Sequence, residues 1–122
     1  MILADTSVWI AHLREGSPVL AEALENARVL KHPFVIGELA CGNLTNRKEV
    51  LRLLGALPKA PTATDHEVLT FIEQNALMGR GVGYIDVHLL ASVALAASAR
   101  LWTLDKRLAT IAVELGFADF AE

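Results

Sequence analysis

ILADTSVWI, residues 2–10, decides how the rest of the chain is read. Ile2, Leu3 and Ala4 run into Asp5, Thr6 and Ser7, and apolar residues resume at Val8, Trp9 and Ile10. A short apolar run bounded by polar residues suits a buried strand, and the residues after it have helical spacing. Asp5 then stands at the carboxyl end of a strand, just before a helix. Helix capping alone would account for it. A sheet edge is also where ligands bind in α/β proteins, so a second use depends on what else reaches that edge.

The alternation continues along the chain. Val8 to Arg14 reads as a helix with Trp9, Leu13 and Ile10 inward. Ser17-Pro18 opens a second helix, with Ser at the cap and Pro in the first turn. Val29-Leu30 fits a short strand, and a helix follows from Pro33 until Gly42-Asn43 ends it. Asn46 to Leu57 is amphipathic, with Arg47, Lys48 and Arg52 on its polar face. Thr64 or Asp65 caps the next helix, and Gly79, Gly81 and Gly83 mark a loop. A small-residue helix spans about Asp86 to Ala99, a strand Leu101 to Leu104, a helix Lys106 to Leu115, and an edge strand residues 117–120. Strands alternating with helices predict an α/β sandwich on a mostly parallel sheet, as one domain over residues 1–122.

Composition narrows the function. The 122 residues are 53 % apolar, enough for one compact core. No apolar run approaches the roughly 20 residues of a membrane span, and no signal-peptide pattern opens the chain, so a cytoplasmic protein is expected. Cys41 is the single cysteine, which excludes an internal disulfide and a zinc-cysteine site, and it reads as a small core residue. Eleven basic against fourteen acidic residues give a net charge of −3. Binding nucleic acid by overall positive charge is therefore not expected, unless a cation offsets some carboxylates.

Four acids keep unusual company. Asp5 and Asp105 follow the apolar runs Ile2-Leu3-Ala4 and Leu101-Trp102-Thr103-Leu104. Asp86 lies in Gly83-Tyr84-Ile85-Asp86-Val87-His88-Leu89-Leu90, and Glu38 in Phe34-Val35-Ile36-Gly37-Glu38-Leu39-Ala40. Each Asp could simply cap a helix. Glu38 is not at a helix start, and a carboxylate buried among apolar neighbours would need a partner or a cation. Carboxylates brought to ~4 Å repel by roughly 4 kcal/mol per pair at an effective dielectric near 20. A cluster of four persists with raised pKa values or a bound cation, and all-oxygen donors favour magnesium or manganese.

These four segments, in this order along essentially the whole chain, resemble PIN-domain ribonucleases, and more narrowly the VapC-type toxins of VapBC toxin–antitoxin pairs. The resemblance implies a PIN-like three-layer sandwich with a short, mostly parallel central sheet flanked by helices. It carries the family's acidic quartet onto Asp5, Glu38, Asp86 and Asp105. Thr6 or Ser7 matches the hydroxyl beside the first acid, and Thr103 the polar residue two before the last. It further implies a Mg2+- or Mn2+-dependent endoribonuclease leaving 5′-phosphate and 3′-hydroxyl ends, a homodimer, and a cognate antitoxin that blocks the site. In this reading Asp5, Asp86 and Asp105 hold the metal. Glu38 completes the set or orients and deprotonates the attacking water, and Thr6, Ser7 and Thr103 hydrogen-bond the ligands or phosphate.

Arg80, Lys106 and Arg107 are candidates for RNA phosphates, whereas the Arg47 group reads as solvated helix surface. His88 points to a different side of its helix from Asp86 and reads as structural or surface. Trp9 and Leu13 read as core, with an antitoxin groove as their other use. A phospho-acceptor receiver domain also gathers acids at strand ends, but it usually has an acidic pair after the first strand, and Asp5 is single. A dehalogenase-type phosphatase would carry Asp where Ser7 stands. A non-catalytic interaction module would have lost acids that this chain keeps. No G-x-S-x-G elbow supports a serine hydrolase.

Overall fold

In the computed structural model, which describes residues 1–118, three short strands form one sheet. They are β1 (Ile2–Ala4), β2 (Val29–Leu30) and β3 (Arg100–Trp102), in the order β2-β1-β3, and every pairing is parallel. Ile2 pairs with Val29 on one side and with Arg100 on the other. β1 is therefore central, and Leu3 and Ala4 are buried. A strand covered on both faces has no room for polar alternation, which is why its sequence is a plain apolar run.

Among the described residues seven helices flank the sheet: α1 (Thr6–Glu15), α2 (Pro18–Glu25), α3 (Pro33–Cys41), α4 (Arg47–Gly55), α5 (Asp65–Gln74), α6 (Tyr84–Leu95) and α7 (Lys106–Glu114). Their ends follow local chemistry. The Ser17 hydroxyl accepts the Leu20 N–H ahead of Pro18, and Thr64 and Glu67 form a reciprocal capping box at α5. Residues 87–93 of α6 are all buried, so this helix runs through the core and has no polar face. No helix among the described residues is long and apolar enough to cross a membrane.

Several boundaries differ from the sequence expectation, each for a local reason. α1 begins at Thr6, two residues early, because the Asp5 carboxylate accepts the Ser7 and Val8 N–H groups. Its inward side carries Val8 and Trp9, while Ile10 and Leu13 face solvent. α6 starts at Tyr84, so Asp86 lies in its first turn with its carboxylate turned back to the Gly83 N–H. It ends at Leu95, where Ala96 caps it and residues 97–99 turn into β3. β3 stops at Trp102, because the next groups are recruited sideways: Leu104 N–H donates to Ser7 Oγ, and Asp105 N–H to Thr103 Oγ1. Cys41 is exposed at the end of α3 and is not a core residue. Of the expected edge strand over 117–120, Phe117 and Ala118 form a bend beside β3, and the remaining two residues lie outside the described residues.

Candidate active site

Asp5 is the best-anchored acid. Only 6 % of it is exposed, and both carboxylate oxygens are engaged. Oδ1 accepts from Ser7 N–H at 3.0 Å, Ser7 Oγ at 2.5 Å and Val8 N–H at 3.4 Å, and Oδ2 accepts from Thr103 Oγ1 at 2.6 Å. The two hydroxyls also receive N–H groups from the loop after β3. Ser7 and Thr103 thus tie the end of β1 to the start of α7. Thr6 turns elsewhere, and its Oγ1 donates to Glu38 Oε1 at 2.7 Å.

The other three acids each use one oxygen locally. Asp86 Oδ2 accepts from Gly83 N–H at 3.1 Å, Asp105 Oδ1 from Leu108 N–H at 3.0 Å, and Glu38 Oε1 from Thr6. Their second oxygens accept no hydrogen bond among the described residues. Glu38 is solvent-exposed, so the cost of burying a carboxylate among apolar neighbours does not apply to it. Its place is the rim, held by Thr6 from the neighbouring helix.

Electrostatics link the four positions. Burial pushes the Asp86 carboxyl above the ordinary Asp range, the Gly83 hydrogen bond pulls it back, and the charges of Asp5, Asp105 and Glu38 push it up further. Among the described residues no three Asp, Glu, His or Cys side chains are placed to hold a metal ion together. The three Asp side chains instead lean on their own helix starts and Glu38 on Thr6 of α1, as uncompensated like charges should. The donor chemistry fits a hard divalent cation: oxygen only, with three spare carboxylate oxygens and a field that a cation would relieve.

A basic cleft of about 240 Å³ is walled by Arg80, Lys106, Arg107 and Thr110. Arg80 Nη2 binds both oxygens of Glu114, at 3.1 and 3.0 Å, so its charge is matched. Nothing in the sequence marked Glu114 as that partner, since 34 residues separate the two. Lys106 and Arg107 have no ion pair among the described residues. The Arg47 group behaves as plain surface: Arg47 donates to the Gly42 carbonyl and Arg52 pairs with Glu49. His88 is buried between the Phe34 and Tyr84 rings, a structural position.

The sequence profile of the PIN domain matches residues 2–114. Ribonuclease VapC32 of Mycobacterium tuberculosis, in strains CDC 1551 / Oshkosh and ATCC 25618 / H37Rv, is 49 % identical to this chain over 118 residues. The alignment covers 97 % of this chain and 95 % of each relative.

Proposed function

This chain belongs to the PIN-domain family, and from that premise we propose that it is a VapC-type toxin, an endoribonuclease dependent on magnesium or manganese. The observation that carries the reading is the division of labour within the acids. Asp5 is fixed by Ser7 and Thr103, while Asp86, Asp105 and Glu38 each keep an oxygen spare.

Asp5, Asp86 and Asp105 are the residues that would hold the ion. When bound, a divalent cation lowers the pKa of a coordinated water and offsets charge on a phosphate oxygen. The chain's own groups do the rest. Ser7 and Thr103 fix the Asp5 carboxylate against rotation, so that it presents the same edge in every turnover. Glu38, exposed at the rim and steadied by Thr6, orients the attacking water and takes its proton. Lys106 and Arg107 supply positive charge beside Asp105 that draws an RNA phosphate toward an otherwise repulsive group of carboxylates. Arg80, matched by Glu114, forms part of the wall of the same cleft.

The family reading extends to partners. An apolar groove of about 350 Å³, lined by Trp9, Leu13, Leu24, Val50, Leu53 and Leu57 among others, suits the apolar face of an antitoxin helix. A homodimer completes the assembly, and light scattering on the purified chain checks it.

The deciding experiment is cleavage of RNA by the purified protein with magnesium, with EDTA, and after Asp5→Asn. Cleavage only by the unsubstituted protein with metal is expected. Equal cleavage in EDTA, or by the Asp5→Asn protein, overturns the mechanism.

A further inference from the structure

The basic cleft contains a contact that the acidic site does not explain. Gly81 has φ of +82°, a conformation that side-chain-bearing residues rarely adopt. It also lies against Arg107. A Cβ on residue 81 would sit 2.8 Å from both Cδ and Nη1 of Arg107, and 3.2 Å from Cζ. The outer half of the arginine thus runs across the bare Cα of the glycine. Glycine suits the turn, and its missing Cβ leaves the space that the outer half of the arginine occupies.

Gly79, in the same loop, makes the comparison sharp. Its φ is +72°, yet a Cβ there would meet nothing within 4 Å. Gly79 serves the turn alone. Gly81 serves the turn and the seat.

The seat joins the two segments that carry Asp86 and Asp105. Arg107 follows Asp105 by two residues in the first turn of α7, and Gly81 precedes by two the Gly83 whose N–H holds Asp86. Of the three cations in the cleft, Arg80 is matched by Glu114, whereas Arg107, exposed and lying against Gly81, has no anionic partner among the described residues. A guanidinium resting on bare backbone and left without a counter-charge is available to a phosphate, which it can grip with two parallel N–H groups.

We propose that Gly81 is a positioning residue that seats Arg107 as the clamp for a backbone phosphate of the RNA, next to the bond to be cut. This rests on the ribonuclease reading above and assigns to one cation in the cleft the role of gripping substrate. Arg80, matched by Glu114, braces the cleft wall.

The test is binding of a short, fluorescein-labelled single strand with 2′-O-methyl sugars, which resists cleavage, titrated by anisotropy across a range of salt. A phosphate contact is sequence-independent, so a randomised strand suffices. Arg107→Ala is expected to weaken binding about fivefold and to lower the slope of log affinity against log salt by about 0.7. Gly81→Ala should do the same, and the double variant should bind no worse than Arg107→Ala, because both remove one contact. Gly79→Ala, which strains the same loop without touching the arginine, should bind like the unsubstituted protein. Arg107→Lys keeps the charge but loses the planar fork, and should recover less than half of the lost affinity.

Unchanged binding by Arg107→Ala overturns the clamp. Losses in the double variant that multiply those of the single ones overturn the seat, as does equal weakening by Gly79→Ala. Should Gly81→Ala fail to fold by circular dichroism, Arg107→Ala and Arg107→Lys still decide the clamp. A protein that cuts RNA in magnesium but binds equally without Arg107 overturns the clamp alone. One that binds through Arg107 yet cuts no RNA overturns the ribonuclease reading alone.

Discussion

Thr103 Oγ1 lies 2.6 Å from Asp5 Oδ2 although 98 residues separate them, and the same oxygen accepts the Asp105 N–H at 3.0 Å. One hydroxyl therefore sets the spacing of two acids that come from different strand ends. Thr103→Val keeps the volume and removes both bonds, leaving a buried carboxylate oxygen and an N–H without partners. The expected stability loss is about 1–3 kcal/mol. Metal affinity and cleavage should each fall about 10–100-fold, and Thr103→Ser should restore most of both. Urea melts and steady-state cleavage rates check this. A Val variant as active as the original would show that the bridge has no part in positioning Asp5.

Asp86 is the acid with most to gain from losing its charge, since burial and then the charges of Asp5, Asp105 and Glu38 disfavour its ionised form. An Asp whose folded pKa is raised costs stability at neutral pH. Asp86→Asn keeps an oxygen for the Gly83 N–H and removes that cost, so without metal it should melt at a higher temperature than the unsubstituted protein. With magnesium the order should reverse. A bound ion stabilises the unsubstituted protein by about 2.7 kcal/mol at a hundredfold excess over its Kd, and the variant lacks one of its donors. Thermal melts with and without magnesium decide it. An equal metal-induced rise in both proteins would remove Asp86 from the metal site.

How much of this was legible in the sequence depends on how local each signal is. β1, the Ser17 and Thr64 caps and the capping places of Asp5 and Asp105 were readable, because an apolar run or a capping residue acts within a few positions. The end of β3 was not, because Thr103 and Leu104 leave the strand to bond Asp5 and Ser7 at the far end of the chain. Ile10, Leu13 and Cys41 were expected to turn inward and are exposed, since helical spacing alone does not fix which face a neighbour will cover. Glu38 was singled out for a cost it does not bear, since it sits in solvent and accepts from Thr6. The match of Arg80 with Glu114 and the seating of Arg107 on Gly81 are purely tertiary.

His32 makes the fold acid-sensitive. It caps α3 through Nδ1, which accepts the Phe34 N–H at 3.1 Å, and it is 1 % exposed. Burial, with the charges of His88 and Lys59 adding to it, lowers its pKa from 6.5 to about 4. The folded state thus holds it neutral while the unfolded chain takes up a proton. Stability from this residue is complete above pH 6.5 and is lost as pH falls toward about 4. A shift of that size corresponds to about 3 kcal/mol. His32→Asn keeps a capping oxygen and cannot titrate, so urea melts should show a flatter decline across the same window. Parallel declines in the two proteins would assign the acid sensitivity to other groups.

Leu53 tests the antitoxin surface without touching the nuclease. It stands 53 % exposed on α4 at the edge of the apolar groove, across from Trp9 and Leu13 on α1. An exposed leucine contributes little to the fold, so Leu53→Glu should change stability by less than about 0.5 kcal/mol and leave RNA cleavage unchanged. An antitoxin helix docked in the groove would have to bury the new carboxylate beside apolar walls, with no Lys or Arg in the groove's lining and His12 as its one titratable group. Loss of one such anchor at an interface is worth about 2 kcal/mol, or roughly thirtyfold in affinity. The variant should therefore remain toxic in cells at antitoxin levels that silence the unsubstituted protein. Its cleavage in vitro should need correspondingly more antitoxin to stop. Neutralisation of both proteins at the same ratio would move the antitoxin to another face.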